Sequence, residues 1–214
     1  MNIGILGTGD VGRTLAQAWT RAGHTVRIAG RETQHAQQGW AQAQGLGYGT
    51  FAAVAQWAEV VVNATAGRVS LQALEQAGAA ALAGKVLIDV ANPLDFSNGM
   101  PPSLSIVNTD SLGEQIQRAF PQTRVVKTLN TLSCKLMVNP GAVALGDHSL
   151  FISGNDAPAK AQVLDVLAQF GWDPARVIDL GDISTARGTE QLLPIWIRLW
   201  GALGTDAFNF KIVR

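Results

Sequence analysis

Residues 2–12 read NIGILGTGDVG, an apolar run with three closely spaced glycines at its end. The run Asn2–Gly7 has the length and the apolar character of a short buried strand. After the last glycine, Arg13–Ala22 carries apolar side chains such as Leu15 and Trp19 at the spacing of one helix face. This part of the sequence therefore predicts a strand, a tight turn and a helix.

The same alternation of strands and helices continues along the chain. Further strands are predicted at His24–Ala29, Glu59–Ala64, Lys85–Val90, Arg124–Leu129, Ser149–Gly154 and Arg176–Leu180. Further helices are predicted at Glu32–Gln44, Thr50–Ala58, Ser70–Ala83, Ser111–Phe120 and Ala157–Phe170. Gly45–Gly49 is predicted to interrupt regular structure, and Asn92–Asn108 to form a long irregular loop. Short strands that alternate with helices need crossover connections, so the predicted fold class is doubly wound α/β with a mostly parallel sheet.

Composition and charge restrict the class of ligand. The chain has 214 residues, with 16 Lys and Arg against 16 Asp and Glu, so no net field attracts nucleic acid or an anionic membrane. No apolar run reaches the roughly 18 residues of a membrane span. A single cysteine, Cys134, excludes an internal disulfide, and His24, His35 and His148 lack the spacing of metal ligands. We therefore expect a cytoplasmic protein with a small-molecule ligand and no metal, nucleic-acid or membrane partner.

The three glycines have the spacing of a turn that binds a dinucleotide. In such a turn Gly7 makes the sharp bend, Gly9 lets the backbone approach the pyrophosphate, and Gly12 lets the helix pack closely on the strand. The helix N-terminus adds unpaired N–H groups and a positive dipole. The alternative is a glycine-rich turn that serves only the bend from strand to helix. The position between a strand and a helix favours the dinucleotide site.

The end of the second predicted strand favours NADP over NAD. An NAD-binding protein usually has an acidic residue there that holds the ribose 2′-hydroxyl group, whereas this chain has Gly30-Arg31. A guanidinium suits a 2′-phosphate because it forms two parallel charge-assisted hydrogen bonds. Thr33 and His35 are further candidates for hydrogen bonds to the phosphate. The alternative is that Glu32 takes the ribose position, in which case NAD is the cofactor.

Small polar residues follow the other predicted strands. Ligands of a doubly wound sheet lie beyond the carboxyl ends of its strands, so Thr65 and Asn92 are candidates to hold the second ribose and the nicotinamide. The candidate cofactor-binding residues at these ends are Ala64, Thr65, Ala91, Asn92, Pro93, Leu132 and Cys134. Alternatively, the Asn and Thr side chains only cap turns, and Cys134 is a small buried apolar residue. No general acid, base or nucleophile stands out, so no catalytic residue is assigned.

The chain resembles the deazaflavin (coenzyme F420)-dependent NADP oxidoreductases and, more distantly, the reductase domain of the six-transmembrane metalloreductases. The resemblance lies in residues 3–12, 29–31, 126–132 and 151–156. It implies a Rossmann-like fold and cofactor contacts at Thr8, Gly9, Asp10, Val11, Gly30 and Arg31. His35 stands where relatives often have a lysine. The resemblance also implies contacts near Thr65, at Ala91–Pro93, and at Leu132 and Cys134.

The resemblance implies an NADPH-dependent reductase that passes hydride to a flat redox acceptor. Residues 181–190 depart from the deazaflavin enzymes and lead into a tryptophan-rich segment, so flavin, quinone-like and other carbonyl acceptors stay open beside deazaflavin. A second hypothesis is a regulatory or redox-sensing protein that binds NADP(H) without turnover. A third, an imine or 2-hydroxy-acid dehydrogenase, usually requires a separate substrate domain.

The C-terminal part of the chain predicts a contact between subunits. Residues 1–180 are expected to form the NADP-binding domain and residues 181–214 a helical extension. A helix over Gly188–Gly204 would place an apolar stripe on one side, formed by Leu192, Trp196, Leu199 and Leu203. Relatives use C-terminal elements to dimerise, so a homodimer is expected. The alternative is that this helix packs entirely on its own sheet.

Overall fold

The computed structural model describes residues 1–30 and 35–213, and of residues 35 and 36 the backbone alone. Its strands are β1 Asn2–Leu6, β2 Thr25–Ala29, β3 Gly47–Gly49, β4 Val60–Asn63, β5 Val86–Asp89, β6 Leu94–Asp95, β7 Ser103–Leu104, β8 Arg124–Thr128, β9 Leu150–Gly154 and β10 Val177–Asp179. Its α-helices are α1 Asp10–Arg21, α2 His35–Ala43, α3 Phe51–Trp57, α4 Gly67–Ala77, α5 Ala79–Leu82, α6 Leu112–Ala119, α7 Cys134–Met137, α8 Ala157–Ala168, α9 Ala186–Gln191 and α10 Leu193–Leu203.

Eight of the described strands form one sheet in the order β3-β2-β1-β4-β5-β8-β9-β10. The six strands from β3 to β8 run parallel, so their carboxyl ends meet at one edge. The strand β9 is antiparallel to β8, and β10 is parallel to β9. Between β8 and β9 the chain contains only the one-turn helix α7 and short 3-10 turns, and an antiparallel neighbour needs no crossover helix. The predicted doubly wound, mostly parallel α/β fold is confirmed.

Apolar layers cover both faces of the sheet. In β4, Val60 and Val62 point into one layer and Val61 into the other, and all three are buried. Helices α1, α2 and α8 supply side chains to the first layer, and α3, α4 and α6 to the second. A strand buried on both faces needs a continuous apolar sequence, which is why the short runs in this chain become the centre of a parallel sheet.

Four predictions of local structure are wrong, each for a physical reason. The predicted break at Gly45–Gly49 contains the edge strand β3, whose two glycines have low strand propensity. The predicted helix Ser70–Ala83 is divided into α4 and α5 at Gly78, which has a φ of +92°. The predicted loop Asn92–Asn108 contains the β6–β7 hairpin, whose two-residue strands are too short to show an alternating pattern in the sequence. The predicted helix Gly188–Gly204 is divided into α9 and α10, because Pro194 lacks the N–H that would continue α9.

Among the described residues, no helix combines the length and the apolar character that crossing a membrane requires.

Candidate functional site

The glycine turn joins β1 to α1, and each of its glycines has a different environment. Gly7 has a φ of +118°, and a Cβ there would lie 2.4 Å from the Ala64 carbonyl oxygen. A Cβ on Gly12 would lie 2.2 Å from the Gly7 carbonyl oxygen, so these two positions exclude side chains. A Cβ on Gly9 would have no described atom within 4 Å. The turn therefore leaves open space in front of Gly9, next to the uncapped N-terminus of α1.

Arg13 fixes the turn from the side of α1. Its Nε donates to the Thr8 carbonyl oxygen at 2.9 Å, and its guanidinium also donates to the side chain of Gln37. The same guanidinium lies 4.5 Å from the ring centroid of Trp40. Since Gln37 and Trp40 belong to α2, Arg13 holds the glycine turn and α2 in a fixed relation.

Two adjoining grooves follow the carboxyl edge of the sheet from this turn and together form the cleft. The turn groove, about 370 Å³, is lined by Gly7, Thr8, Gly9, Gly30, Phe51, Ala64, Thr65, Ala66, Arg68, Val69, Gln72, Ala73 and Gln76. The hairpin groove, about 190 Å³, is lined by Val11, Ala64, Thr65, Ala66, Gly67, Arg68, Val90, Ala91, Asn92, Leu94 and Phe96. The grooves share Ala64, Thr65, Ala66 and Arg68, so they form one continuous surface.

The structure brings together nine of the residues that the sequence nominates for the cofactor. Those that line the cleft are Gly7, Thr8, Gly9, Val11, Gly30, Ala64, Thr65, Ala91 and Asn92. Gly12 packs under the turn, and Asp10 occupies the exposed first turn of α1. Pro93, Leu132 and Cys134 lie outside the lining of both grooves. Arg31 and Thr33 lie outside the described residues, as does the side chain of His35.

Leu132 lies in the segment between β8 and α7, and Cys134 is the first residue of α7. Leu132 is buried in the apolar layer of α1 and α8, and Cys134, half-buried, packs against the same layer. The segment is tied to the cleft by a reciprocal pair: Asn92 Nδ2 donates to the Asn130 carbonyl oxygen at 2.8 Å, and Asn130 Nδ2 donates to Asn92 Oδ1 at 2.9 Å. The segment after β8 thus supports the cleft at Asn92.

Arg68 lines the cleft although the sequence did not indicate it as a binding residue. It is exposed in the first turn of α4, lines both grooves, and forms no hydrogen bond or ion pair with any described residue. The N-terminus of α4 has no side-chain cap, because Ala66 is the N-cap residue. A cation and the positive end of a helix dipole therefore lie together in the cleft. The signal in the sequence is a helix that begins with Gly67-Arg68 directly after a strand end.

Beneath the cleft a fully buried set of polar side chains joins the ends of three strands. Asn63 Nδ2 donates to Asp89 Oδ1 at 2.8 Å and to Ser70 Oγ at 3.1 Å. The Thr65 hydroxyl donates to Asn63 Oδ1 at 2.7 Å and lies 2.8 Å from Ser70 Oγ. The Asp89 carboxylate also pairs with Lys127 at 2.9 Å. These bonds hold Thr65, on the wall of the cleft, in a fixed position.

Lys127 is the centre of a buried ion cluster with Asp89 and Glu190. Its ammonium group lies 2.9 Å from Asp89 Oδ2 and 2.7 Å from Glu190 Oε1, and its side chain is 0% exposed. Burial alone would lower the pKa of Lys127, but the two carboxylates outweigh it and raise that pKa above its ordinary value. Glu190 also accepts hydrogen bonds from the first backbone N–H groups of α6, at Leu112 and Gly113. The cluster thus joins β5, β8, α6 and α9.

Comparisons with known proteins show which family the chain belongs to. Residues 2–93 match the family described as NADP oxidoreductase, coenzyme F420-dependent. A crystal structure from Arthrobacter sp. FB24, provisionally described as an F420-dependent NADP reductase, is 58% identical, covers 100% of both chains and has a TM-score of 0.96. The chain belongs to the F420-dependent NADP oxidoreductase family. It is thereby a member of a family of NADP-dependent oxidoreductases on a Rossmann-like fold.

More distant relatives share parts of this family's architecture. Metalloreductase STEAP3 of Rattus norvegicus is 29% identical over 91% of the chain, which covers 37% of that protein. The chain thus spans less than half the length of the curated relatives that it matches. An imine reductase of Streptomyces aurantiacus has a TM-score of 0.64 at 17% identity, covering 95% of this chain and 63% of its own. That likeness shows a common fold alone.

Proposed function

We propose that this protein is an NADPH-dependent reductase that transfers hydride to a flat redox acceptor such as a deazaflavin, a flavin or a quinone-like compound. The observation that carries the proposal is the continuous cleft along the carboxyl edge of the sheet. It leads from the open space at Gly9 to the hairpin groove between Val11, Leu94 and Phe96. That groove is lined mainly by apolar groups, which suits a planar ring system.

The residues of the cleft fit a dinucleotide. NADPH, when bound, supplies the hydride. The free space at Gly9 and the N-terminus of α1 suit a pyrophosphate, and Arg68 supplies a cation beside it. The side chains of Val11, Leu94 and Phe96 give the hairpin groove an apolar surface on which two rings could stack. We propose that Arg31, and with it Thr33 and His35, binds the 2′-phosphate and thus selects NADP.

Turnover assays with a panel of acceptors test the proposed function. We expect the protein to oxidise NADPH in the presence of a deazaflavin, a flavin or a quinone, and to bind NADPH more tightly than NADH. Tight NADPH binding without turnover of any acceptor would contradict the reductase and favour a redox-sensing protein. Turnover of only an imine or a 2-hydroxy acid would contradict the proposal that the acceptor is a flat redox compound. Equal affinity for NADPH and NADH would contradict the proposed role of Arg31.

Arg68 is expected to bind the anionic part of the dinucleotide that both cofactors share. The variant Arg68→Ala should weaken NADPH and NADH by a similar factor, about tenfold or more, because a hydrogen bond to a charged group contributes about 1.5–3 kcal/mol. Isothermal titration calorimetry measures both affinities. Arg21→Ala removes an exposed arginine from the last turn of α1 and should leave both unchanged. Loss of NADPH affinity alone would instead place Arg68 at the 2′-phosphate.

We also propose that residues 181–214 form a dimerisation element on the cofactor domain of residues 1–180. Support comes from α10, which leaves Ile195, Trp200 and Leu203 exposed at 47%, 44% and 56%. Trp196, by contrast, stacks on Phe208 of its own chain at 5.3 Å between ring centroids. Large exposed apolar side chains grouped on one helix are typical of a contact between subunits.

The variant Trp200→Glu tests the dimer. A carboxylate in the centre of an apolar contact is costly to bury, so we expect light scattering to show a dimer for the wild type and a monomer for the variant. Leu145→Glu changes an apolar side chain that is 96% exposed in the segment between β8 and β9, and it should leave the dimer intact. A wild type that is monomeric at tens of micromolar protein, a concentration at which a Kd of about 1 μM gives mostly dimer, would refute the proposal.

A further inference from the structure

The direction of each hydrogen bond beneath the cleft follows from groups that have a single role. The Lys127 ammonium group has three hydrogens and only donates, and it meets three acceptors: Asp89 Oδ2, Glu190 Oε1 and the Ala91 carbonyl oxygen at 2.5 Å. The backbone N–H of Ala91 donates to Asp89 Oδ1 at 3.2 Å. Both oxygens of Asp89 are therefore acceptors.

The orientation of the Asn63 amide follows from these acceptors. Its nitrogen must face Asp89 Oδ1, at 2.8 Å, because an oxygen in that place would oppose another acceptor. Its oxygen then faces Thr65, where the backbone N–H of Thr65, which can only donate, lies 3.3 Å away. Two independent partners thus fix the same orientation. The second hydrogen of the amide nitrogen points to Ser70 Oγ at 3.1 Å.

The orientation of Asn63 determines the role of the Thr65 hydroxyl. The hydroxyl has one hydrogen, and Asn63 Oδ1 at 2.7 Å receives it. Ser70 Oγ, which accepts from Asn63, directs its own hydrogen to Thr65 Oγ1 at 2.8 Å or to the Ala66 carbonyl oxygen at 3.4 Å. In either case only a lone pair of Thr65 Oγ1 is left for the cleft. A hydroxyl that could in principle donate or accept is thereby restricted to one role.

We infer that the chain of hydrogen bonds from Lys127 through Asp89 and Asn63 makes Thr65 Oγ1 an obligatory acceptor in the cleft, which selects a ligand group that donates. The inference rests on the proposed function, in which the ligand is NADPH. The donors that the nicotinamide half offers are its ribose hydroxyl groups and its carboxamide NH₂. A carbonyl or carboxylate oxygen would meet Thr65 lone pair against lone pair. Asp89 and Asn63 are positioning residues, and Thr65 cannot supply a proton to the acceptor.

The first experiment compares NADPH affinity in two variants of Thr65 by isothermal titration calorimetry. Thr65→Val keeps the shape of the side chain and removes the hydroxyl. It should weaken NADPH binding about three- to tenfold, the range expected for one hydrogen bond. Thr65→Ser keeps the hydroxyl and should stay within about twofold of the wild type. Circular dichroism checks that both variants are folded. If the wild type binds NADPH and Thr65→Val binds it equally well, this inference fails and the proposed function stands.

The second experiment tests whether Asp89 acts through Thr65. In Asp89→Asn, an amide that offers its oxygen to Lys127 turns its nitrogen toward Asn63, which favours a flipped Asn63 and a reversed Thr65 hydroxyl. The NADPH affinity of Asp89→Asn should be at least threefold weaker than that of the wild type. Adding Thr65→Val to this variant should cause no further loss of affinity. If Asp89→Asn does not fold, Asn63→Leu takes its place, because it leaves the ion cluster intact. It too should weaken NADPH binding, with no further loss when Thr65→Val is added.

Glu114→Gln is the matched control for these variants. It weakens a contact between α6 and α9, the Glu114–Arg187 ion pair, without touching Asn63 or Asp89, so NADPH affinity should be unchanged. The inference would be overturned if Asp89→Asn and Asn63→Leu reduce NADPH affinity by the same factor in the Thr65→Val background as in the wild type. Their effect would then not pass through Thr65. A wild type without NADPH affinity would overturn both this inference and the proposed function.

Discussion

The replacement of Gly9 by valine is expected to abolish NADPH binding and to leave the fold intact. Gly9 has φ −75° and ψ −178°, which valine readily adopts, and a Cβ there would have no described atom within 4 Å. The open space is the place where a pyrophosphate would meet the N-terminus of α1. A pyrophosphate there would accept hydrogen bonds from the unpaired backbone N–H groups at the start of α1, and the loss of two such charge-assisted bonds, at about 1.5–3 kcal/mol each, corresponds to about a hundredfold or more in affinity.

Two other glycines make the Gly9 experiment specific. Gly188→Val places the same side chain in a helix, with no described atom within 4 Å of the Cβ, and should leave NADPH affinity unchanged. Gly12→Ala places a Cβ 2.2 Å from the Gly7 carbonyl oxygen and should instead lower the unfolding temperature. Titration calorimetry and thermal denaturation separate the two effects. A folded Gly9→Val variant whose NADPH affinity stays within about tenfold of the wild type would show that the turn is not the phosphate site.

The sequence predicted those parts of the fold that depend on neighbours along the chain. The turn between β1 and α1 could be recognised because the local backbone geometry requires glycine at fixed positions. Gly7, for example, has a φ of +118°, which side chains disfavour. The direction of β9 could not be predicted, because it depends on how residues 129–149 return to the sheet. Pro194 is a local signal for the end of α9, but the apolar spacing continues across it and masks the break in the sequence.

Residues of the candidate site could be predicted only where they directly follow a strand in the sequence. Thr65 and Asn92 each follow a predicted strand, which makes them candidates, and both line the cleft. The ion cluster could not be predicted, because Lys127 lies 38 residues from Asp89 in sequence and is joined to Glu190 only after α9 has packed on α6. A charged residue in an apolar strand, as at Lys127, is nevertheless a signal that a buried partner exists.

The variant Lys127→Met is expected to show the largest loss of stability. It removes the only cation of the ion cluster and leaves the carboxylates of Asp89 and Glu190 buried without a counter-charge. The removal of one partner from a buried ion pair typically costs about 3–5 kcal/mol. Because stability totals only about 5–15 kcal/mol, urea denaturation should show a midpoint far below that of the wild type.

The pH dependence of stability follows from the raised pKa of Lys127. A lysine whose pKa is higher in the folded than in the unfolded protein stabilises fully below the unfolded value of about 10.4 and loses this contribution as the pH rises through its folded value. The difference between wild type and Lys127→Met should therefore be constant from neutral pH to about pH 10 and decrease above it.

Lys160→Met is the matched control for the loss of Lys127, since it removes a lysine of the same length from an ion pair at the protein surface. Lys160 pairs with Asp179 at 2.8 Å, but the Asp179 side chain is 54% exposed and stays hydrated when the lysine is lost. The Lys160 side chain is itself only 12% exposed, so its loss should cost more than the contribution of a fully exposed pair, about 0–1 kcal/mol, but much less than the loss of Lys127, whose two carboxylates are both buried. If the two variants lose equal stability in urea, water must reach the Lys127 cluster. The cluster would then not be the rigid anchor on which the orientation of Asn63 and Thr65 depends.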